Sequence, residues 1–304
     1  MEVPAVLRSR LQPLAVLSMA AVQTLAAACG GPAPEGAGEP GPAAAAGEAA
    51  QHAGESADGA GPAIDLAAYR LVDLTYPFDA ETIYWPTAPS GFELERLSYG
   101  PTAAGFFYAA NRFSAPEHGG THLDAPIHFA EGRQTVDELP LERLMAAAVV
   151  LDVSEQAAAD PDYRLAPEDV AAFEAAHGAI PEGSIVLLRT GWGERWGDRL
   201  RYLGDDTPGD ASNLHFPAYG AEAARLLVAE RKVAALGLDT ASLDHGPSTD
   251  FPVHQVAAAA NVPGLENVAR LEELPPTGAW VIALPMKIAG GSGGPVRIVA
   301  LVPR

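Results

Sequence analysis

The sequence predicts a mixed α/β (α+β) domain over residues 64–304. Three observations point there. Short runs rich in Val, Ile and Leu, bounded by turn residues, read as strands. Two longer stretches carry helix start and stop signals. Strands and helices do not alternate strictly, which favours a mixed or α+β arrangement over a regular βα repeat.

Taken in order, Tyr69 to Thr75 alternates as a strand does, and so does Phe106 to Ser114, which runs directly into a histidine-rich segment. Ala146 to Val153 and Ser184 to Arg189 are short β-branched runs between turn signals. Pro167 to His177 reads as a helix, with Pro and acids in its first turn and Gly178 at its end. A histidine at such a C-terminus, here His177, interacts favourably with the helix dipole. Pro217 to Lys232 reads as a second helix, with Ala224, Leu226 and Leu227 on one face. Val233 to Asp239 is the next strand, and its end delivers Asp239 and Thr240. Trp280 to Lys287 and Val296 to Val302 are closing strands.

The first 63 residues do not read as globular. Arg8 and Arg10 precede an apolar run from Leu14 to Ala28, which ends in three alanines before Cys29. A positive start, a short apolar core and small residues before a cleavage point describe a signal peptide over residues 1–28. The run is shorter than the roughly 20 apolar residues a bilayer span needs. Cys29, the chain's single cysteine, stands where a bacterial lipobox would place its lipidated residue, although Ala26 replaces the commoner leucine. One cysteine permits no intramolecular disulfide. Residues 29–63 are nearly all Gly, Ala, Pro and Glu and cannot bury enough apolar surface to fold, so they read as a flexible linker. The expectation is an exported protein of the cell envelope, touching a membrane only through a lipid anchor at Cys29.

The chain carries 19 basic and 39 acidic residues, a formal net charge of −20. Nucleic-acid binding needs a basic footprint, and the composition excludes one.

The chemistry concentrates in His118-Gly119-Gly120-Thr121-His122-Leu123-Asp124-Ala125-Pro126-Ile127-His128-Phe129, which holds three of the eight histidines. His118, His122, Asp124 and His128 fall on even positions, so an extended backbone points all four to one side. Nitrogen and carboxylate donors together suit zinc, manganese or iron better than calcium or magnesium. Ten extended steps from His118 to His128 would span about 33 Å, so the segment must bend to form one site. Gly119-Gly120 and Pro126 supply the bends.

The pattern His-x-Gly-Thr-His-x-Asp-x-Pro-x-His-Phe resembles the signature of the cyclase-like metal-dependent hydrolases, the family of kynurenine formamidase (arylformamidase) and isatin hydrolase. The resemblance spans roughly residues 68–303. Gly237 to Asp244 looks like the family's Gly-x-Asp-Thr-x-Ser-x-Asp block, and His254 followed by Glu266-Asn267-Val268 resembles its second ligand pair. Leu284 to Ile288, Gly290 to Gly293 and Pro295 to Arg297 are similar to its closing strands.

The resemblance implies a single swivelling β/β/α-type domain, assembled as a homodimer or larger oligomer. It implies His118, His122, Asp124, His254 and Glu266 as ligands of a divalent metal, Zn2+ or Mn2+, with two ions per chain and Asp124 bridging them. It leaves His128 as general acid/base. The implied activity is hydrolysis of an amide or cyclic amide bond in a small aryl substrate, arylformamidase-like. The alternatives are isatin-hydrolase-like opening of a cyclic amide or lactone, and a non-catalytic lipoprotein that binds metal or aromatic ligands. A cyclase or dehydratase on the same scaffold is a further option. Tyr84-Trp85-Pro86, Phe106-Phe107-Tyr108 and Trp192 with Trp196 are candidate walls for an aromatic pocket.

Overall fold

The structure is a computed structural model and describes residues 65–304. The signal peptide expected at 1–28, Cys29 and the linker to residue 63 lie outside the described residues. None of the described helices is long and apolar enough to cross a membrane.

Among the described residues, twelve strands run in chain order: β1 (Tyr69–Asp73), β2 (Glu93–Pro101), β3 (Phe107–Ser114), β4 (His122–Asp124), β5 (Met145–Asp152), β6 (Arg164–Leu165), β7 (Ile185–Arg189), β8 (Ala218–Tyr219), β9 (Ala235–Leu238), β10 (Gly264–Glu266), β11 (Trp280–Pro285) and β12 (Gly293–Pro303). The helices are α1 (Leu141–Leu144), α2 (Ser154–Ala159), α3 (Pro167–His177), α4 (Arg199–Leu203), α5 (Ala221–Arg225) and α6 (Pro252–Ala259). Eight strands form the main sheet in the order β1-β12-β11-β5-β7-β9-β10-β4, and β4 pairs back onto β12. The sheet therefore closes on itself as a barrel, with β1 added outside on β12.

Burial explains the strand sequences. β5, β7, β9 and β10 run parallel. In β5 and β7, Ala148, Val150, Ile185 and Leu187 face the barrel interior. Their neighbours Val149, Leu151, Val186 and Leu188 pack instead beneath Val170 of α3, Ala223 and Ala224 of α5 and Val253 of α6. Strands covered on both faces read as unbroken apolar runs, which is why these two were legible. The antiparallel β11 and β12 are covered on one face, and their burial alternates.

Expectations and structure differ at residues 217–232. Ala218 and Tyr219 form β8, pairing in parallel with Arg164 and Leu165, and the helix starts at Ala221. Gly220 makes the junction possible, because a Cβ there would lie 2.6 Å from the Leu165 carbonyl. Tertiary pairing thus takes the first residues from the helix, whose last turn, Leu226–Glu230, widens to a π-helix. The hairpin β2–β3 stands apart as its own two-stranded sheet.

Candidate metal centre and active site

The histidine-rich segment bends as its glycines and proline require. Gly119 and Gly120 take φ of +148° and +57°. A side chain at Gly120 would press into Phe78 and Thr82. His122–Asp124 then forms β4, and Pro126–His128 a single 3-10 turn. β4 lies between β10 and β12, with His122 opposite Glu266 and Asp124 opposite Gly264 and Gly293. Directly opposed antiparallel residues bring their side chains together.

Asp124 is the centre of the arrangement. Its Oδ1 lies 2.6 Å from His118 Nδ1 and 3.1 Å from His122 Nε2. Its Oδ2 lies 3.2 Å from His254 Nε2, which is 3.1 Å from Glu266 Oε1. Two donor clusters result, His118/His122/Asp124 and Asp124/His254/Glu266, and in each the donor atoms all lie within 4.8 Å of one another. All of these side chains except His118 are buried.

The outer nitrogens decide what the inner ones can do. His122 Nδ1 donates to the Gly120 carbonyl at 3.0 Å, and His254 Nδ1 donates to Asp244 Oδ2 at 2.6 Å. The Ser292 hydroxyl donates to Glu117 Oε2, so its oxygen is left to accept from His118 Nε2 at 2.9 Å. Each imidazole is thereby anchored outward, and each inner nitrogen presents a lone pair towards carboxylate oxygens. Lone pairs opposed at such distances need a cation, or protons, between them. The same need appears in the acid–base balance. Burial opposes a proton on His122, yet Asp124 and Glu266 outweigh it and raise its pKa to about 9. Burial likewise opposes charge on His254, and its three carboxylate partners hold its pKa well above normal. Burial pushes Asp124 up, and the facing histidines bring it well below the usual carboxylate range. The donor set fits a divalent metal.

His128 has a different setting. Its ring stacks on His118 at a centroid distance of 3.8 Å, and it lines the pocket without joining either donor cluster. Desolvation by the pocket lowers its pKa to about 4, with Asp124 pulling upward and neighbouring imidazoles pushing down. Its imidazole is therefore neutral at neutral pH.

The pocket over the clusters has a volume of about 270 Å3. Its aromatic walls are Tyr84, Trp85, Phe129 and Phe251. Of the aromatic groups expected to line it, only Tyr84-Trp85 does so. Phe106, Phe107 and Tyr108 stand exposed at the hairpin, and Trp192 is buried in a separate cluster. Trp196 stacks on Tyr76 at 4.0 Å. Phe129 and Phe251 were not expected as walls, although Phe129 closes the histidine-rich motif.

Several supporting residues lie in motifs whose spacing carries no hint of their roles. Asp244 accepts the Val253 and His254 N–H groups, besides His254 Nδ1, and so fixes the start of α6. Asn267, at φ +54°, donates to the Gly120 carbonyl, and its own carbonyl accepts from Thr121. Asp239 accepts from Thr190 and Gly191 N–H and from the Thr190 hydroxyl, holding the ends of β7 and β9 together. His215 and His245 lie outside both donor clusters, and His215 pairs with Asp162.

The comparisons agree with this geometry. The isatin hydrolase of Roseibium aggregatum is 38% identical over 208 residues, covering 66% of this chain and 77% of that protein. The kynurenine formamidase of Salinibacter ruber is 32% identical over 186 residues, covering 60% and 74%. Among solved structures, isatin hydrolase A from Labrenzia aggregata bound to benzyl benzoate superposes with a TM-score of 0.71 at 36% identity, covering 78% of this chain and 95% of that one. The Cyclase family model matches residues 72–245, and with the barrel and its donor clusters already in place, the chain belongs to the Cyclase family.

Proposed function

We propose that the protein is a metal-dependent hydrolase of a small aromatic amide, either an open-chain aryl formamide or a cyclic aryl amide. The observation that carries this reading is the pair of donor clusters sharing Asp124 at the floor of an aromatic-walled pocket. Its relatives include enzymes named for each substrate type.

His118, His122 and Asp124 would hold one ion, and Asp124, His254 and Glu266 a second; a nitrogen and oxygen donor set suits Zn2+ or Mn2+. A divalent cation bound there supplies an acidified water and polarises a carbonyl oxygen. The protein's own groups do the rest. Tyr84, Trp85, Phe129 and Phe251 bind the flat ring and exclude water around it. His128, neutral and free of both clusters, accepts a proton on a ring nitrogen from the attacking water and returns it to the departing amide nitrogen. A non-catalytic binder would leave that histidine without a task.

Export through residues 1–28 with anchoring at Cys29 belongs to the proposal, as does assembly into a homodimer. The hairpin exposes Leu94, Tyr99, Phe107 and Phe113, an apolar surface of the kind subunits bury. The deciding experiment incubates the metal-loaded protein with N-formyl-kynurenine and with isatin, with and without chelator. Chelator-sensitive turnover of one of them supports the reading and selects the substrate type. Bound metal with no turnover of either overturns the proposed substrate class.

A further inference from the structure

A second cavity, of about 350 Å3, opens at the carboxyl ends of the parallel strands β5 and β7, outside the catalytic pocket. Ligands commonly bind beyond the carboxyl ends of parallel strands, in closed barrels as in open sheets. Its lining includes Ser154, Arg189, Gly191, Trp192, Arg195 and Arg201. Three arginines around one cavity are unexpected in a chain with twice as many acids as bases.

The three are not equivalent. Arg189 is neutralised by Asp152, at 2.5 Å. Arg195 and Arg201 have no carboxylate within ion-pair distance among the described residues, although Glu194 also lines the cavity. They lie close enough for the positive charge of Arg201 to disfavour that of Arg195, behind burial as the larger cause. Arg195 lies over the Trp192 indole, with its guanidinium carbon 3.3 Å from the ring centroid. That contact holds the guanidinium in place; its Nη1 reaches the Arg201 carbonyl at 3.5 Å, and its other N–H groups make no hydrogen bond among the described residues, so they are available to bind. Two adjacent guanidiniums that repel each other, one of them pre-oriented, are stabilised together by an anion with more than one acceptor oxygen.

We propose that this cavity is a binding site for a small oxyanion, a carboxylate or a phosphate, held by the forks of Arg195 and Arg201. The site connects to the catalytic one through packed groups. Trp192 Nε1 donates to the Tyr202 carbonyl, and the Tyr202 hydroxyl lies 2.9 Å from Asn267 Oδ1. Asn267 lines the catalytic pocket. The proposal does not depend on the hydrolytic reading.

The test is calorimetric titration of the metal-loaded full chain with benzoate and with inorganic phosphate, followed also by tryptophan fluorescence. The expected result is saturable binding of at least one probe, weakened about tenfold or more by Arg195→Gln and by Arg201→Gln, with metal content unchanged. Arg195→Lys keeps the charge but loses the fork, and should fall between wild type and Arg195→Gln. Comparing benzoate with phosphate tells the two anion classes apart. Arg201 is exposed, so its replacement tests the site without a folding penalty. Binding that survives both arginine changes but disappears in His118→Ala would place the anion at the metal centre and overturn the proposal. So would the absence of saturable binding of either probe.

Discussion

His122 and Glu266 are register partners across the β4–β10 pair, with His122 Nε2 3.4 Å from Glu266 Oε2. The other Glu266 oxygen accepts the Leu243 N–H at 2.8 Å and lies 3.1 Å from His254 Nε2. One carboxylate therefore touches both histidine sets and the backbone. Glu266→Gln keeps an oxygen for Leu243 while removing the charge. Elemental analysis should show one ion fewer per chain, with turnover reduced by at least about tenfold. Unchanged metal content and full activity would remove Glu266 from the ligand set.

His128→Ala separates catalysis from binding. The expected outcome is unaltered metal content with kcat lower by about 10²–10⁴-fold, the range for losing a general acid/base. Loss of metal in parallel with loss of rate would make His128 a ligand instead.

Asp244 orients His254 from behind. Asp244→Asn reduces the acceptors available to the Val253 N–H, the His254 N–H and His254 Nδ1, leaving the imidazole less firmly aimed. Metal affinity, read by competition with a chelating dye, should fall by about 10–100-fold. An unchanged affinity would show that helix α6 alone positions His254.

Gly293→Ala probes the back of the site. A Cβ at this position would lie 2.5 Å from the Leu123 carbonyl and 2.6 Å from His118 Cε1. Overpacking of this kind costs about 1–3 kcal/mol, and here part of the strain falls on a proposed ligand. Thermal melting should drop and metal binding weaken together. A variant that melts like wild type and retains its metal would show that β12 can shift without disturbing His118.

Stability away from the site should carry a pH signature. The Glu174 carboxylate takes two hydrogen bonds from Arg231, at 2.7 and 2.8 Å, and this pairing lowers its pKa below the ordinary 4.5. A depressed carboxylate stabilises the fold fully above 4.5, and that stability is lost as pH falls through the folded value. Arg231→Gln should therefore cost up to about 1 kcal/mol at pH 7, with the gap to wild type closing in acid. Denaturant titrations at pH 7 and pH 3 check it, and a constant gap would show that the effect is packing rather than charge.

Local chemistry was readable where one stretch of chain supplied it. The bend at Gly119-Gly120, the turn at Pro126 and the α3 boundaries follow from φ preferences and capping, and the structure has them in place. The doubly buried strands β5 and β7 announced themselves by composition. Partners distant in sequence were not readable that way. The pairing of His122 with Glu266 depends on a β4–β10 register that spans 144 residues, and only family resemblance pointed to it. Asp244, Asn267 and Ser292 act through hydrogen bonds to backbone and to other side chains, which leave no periodicity. The helix expected from Pro217 failed at its start because β6, 54 residues upstream, claims Ala218 and Tyr219. Among the aromatic walls Tyr84-Trp85 is in place and the others are not, for a related reason: whether Phe106 or Phe251 meets the pocket is set by where loops land.

The barrel's closure has a consequence for how the protein comes apart. Strand β4 is three residues long, and among the described residues it alone joins β10 to β12. Three ladder positions on each side are a weak clasp, yet this clasp carries His122 and Asp124, while β10 carries Glu266. An ion gripped across it would lock the ring by RT ln(1 + [ion]/Kd), about 4 kcal/mol at a thousandfold excess over Kd. Stripping the ion should then loosen amide protons at residues 122–124 and 264–266 long before those of β5 and β7. Metal supply would set the mechanical integrity of the molecule as well as its chemistry.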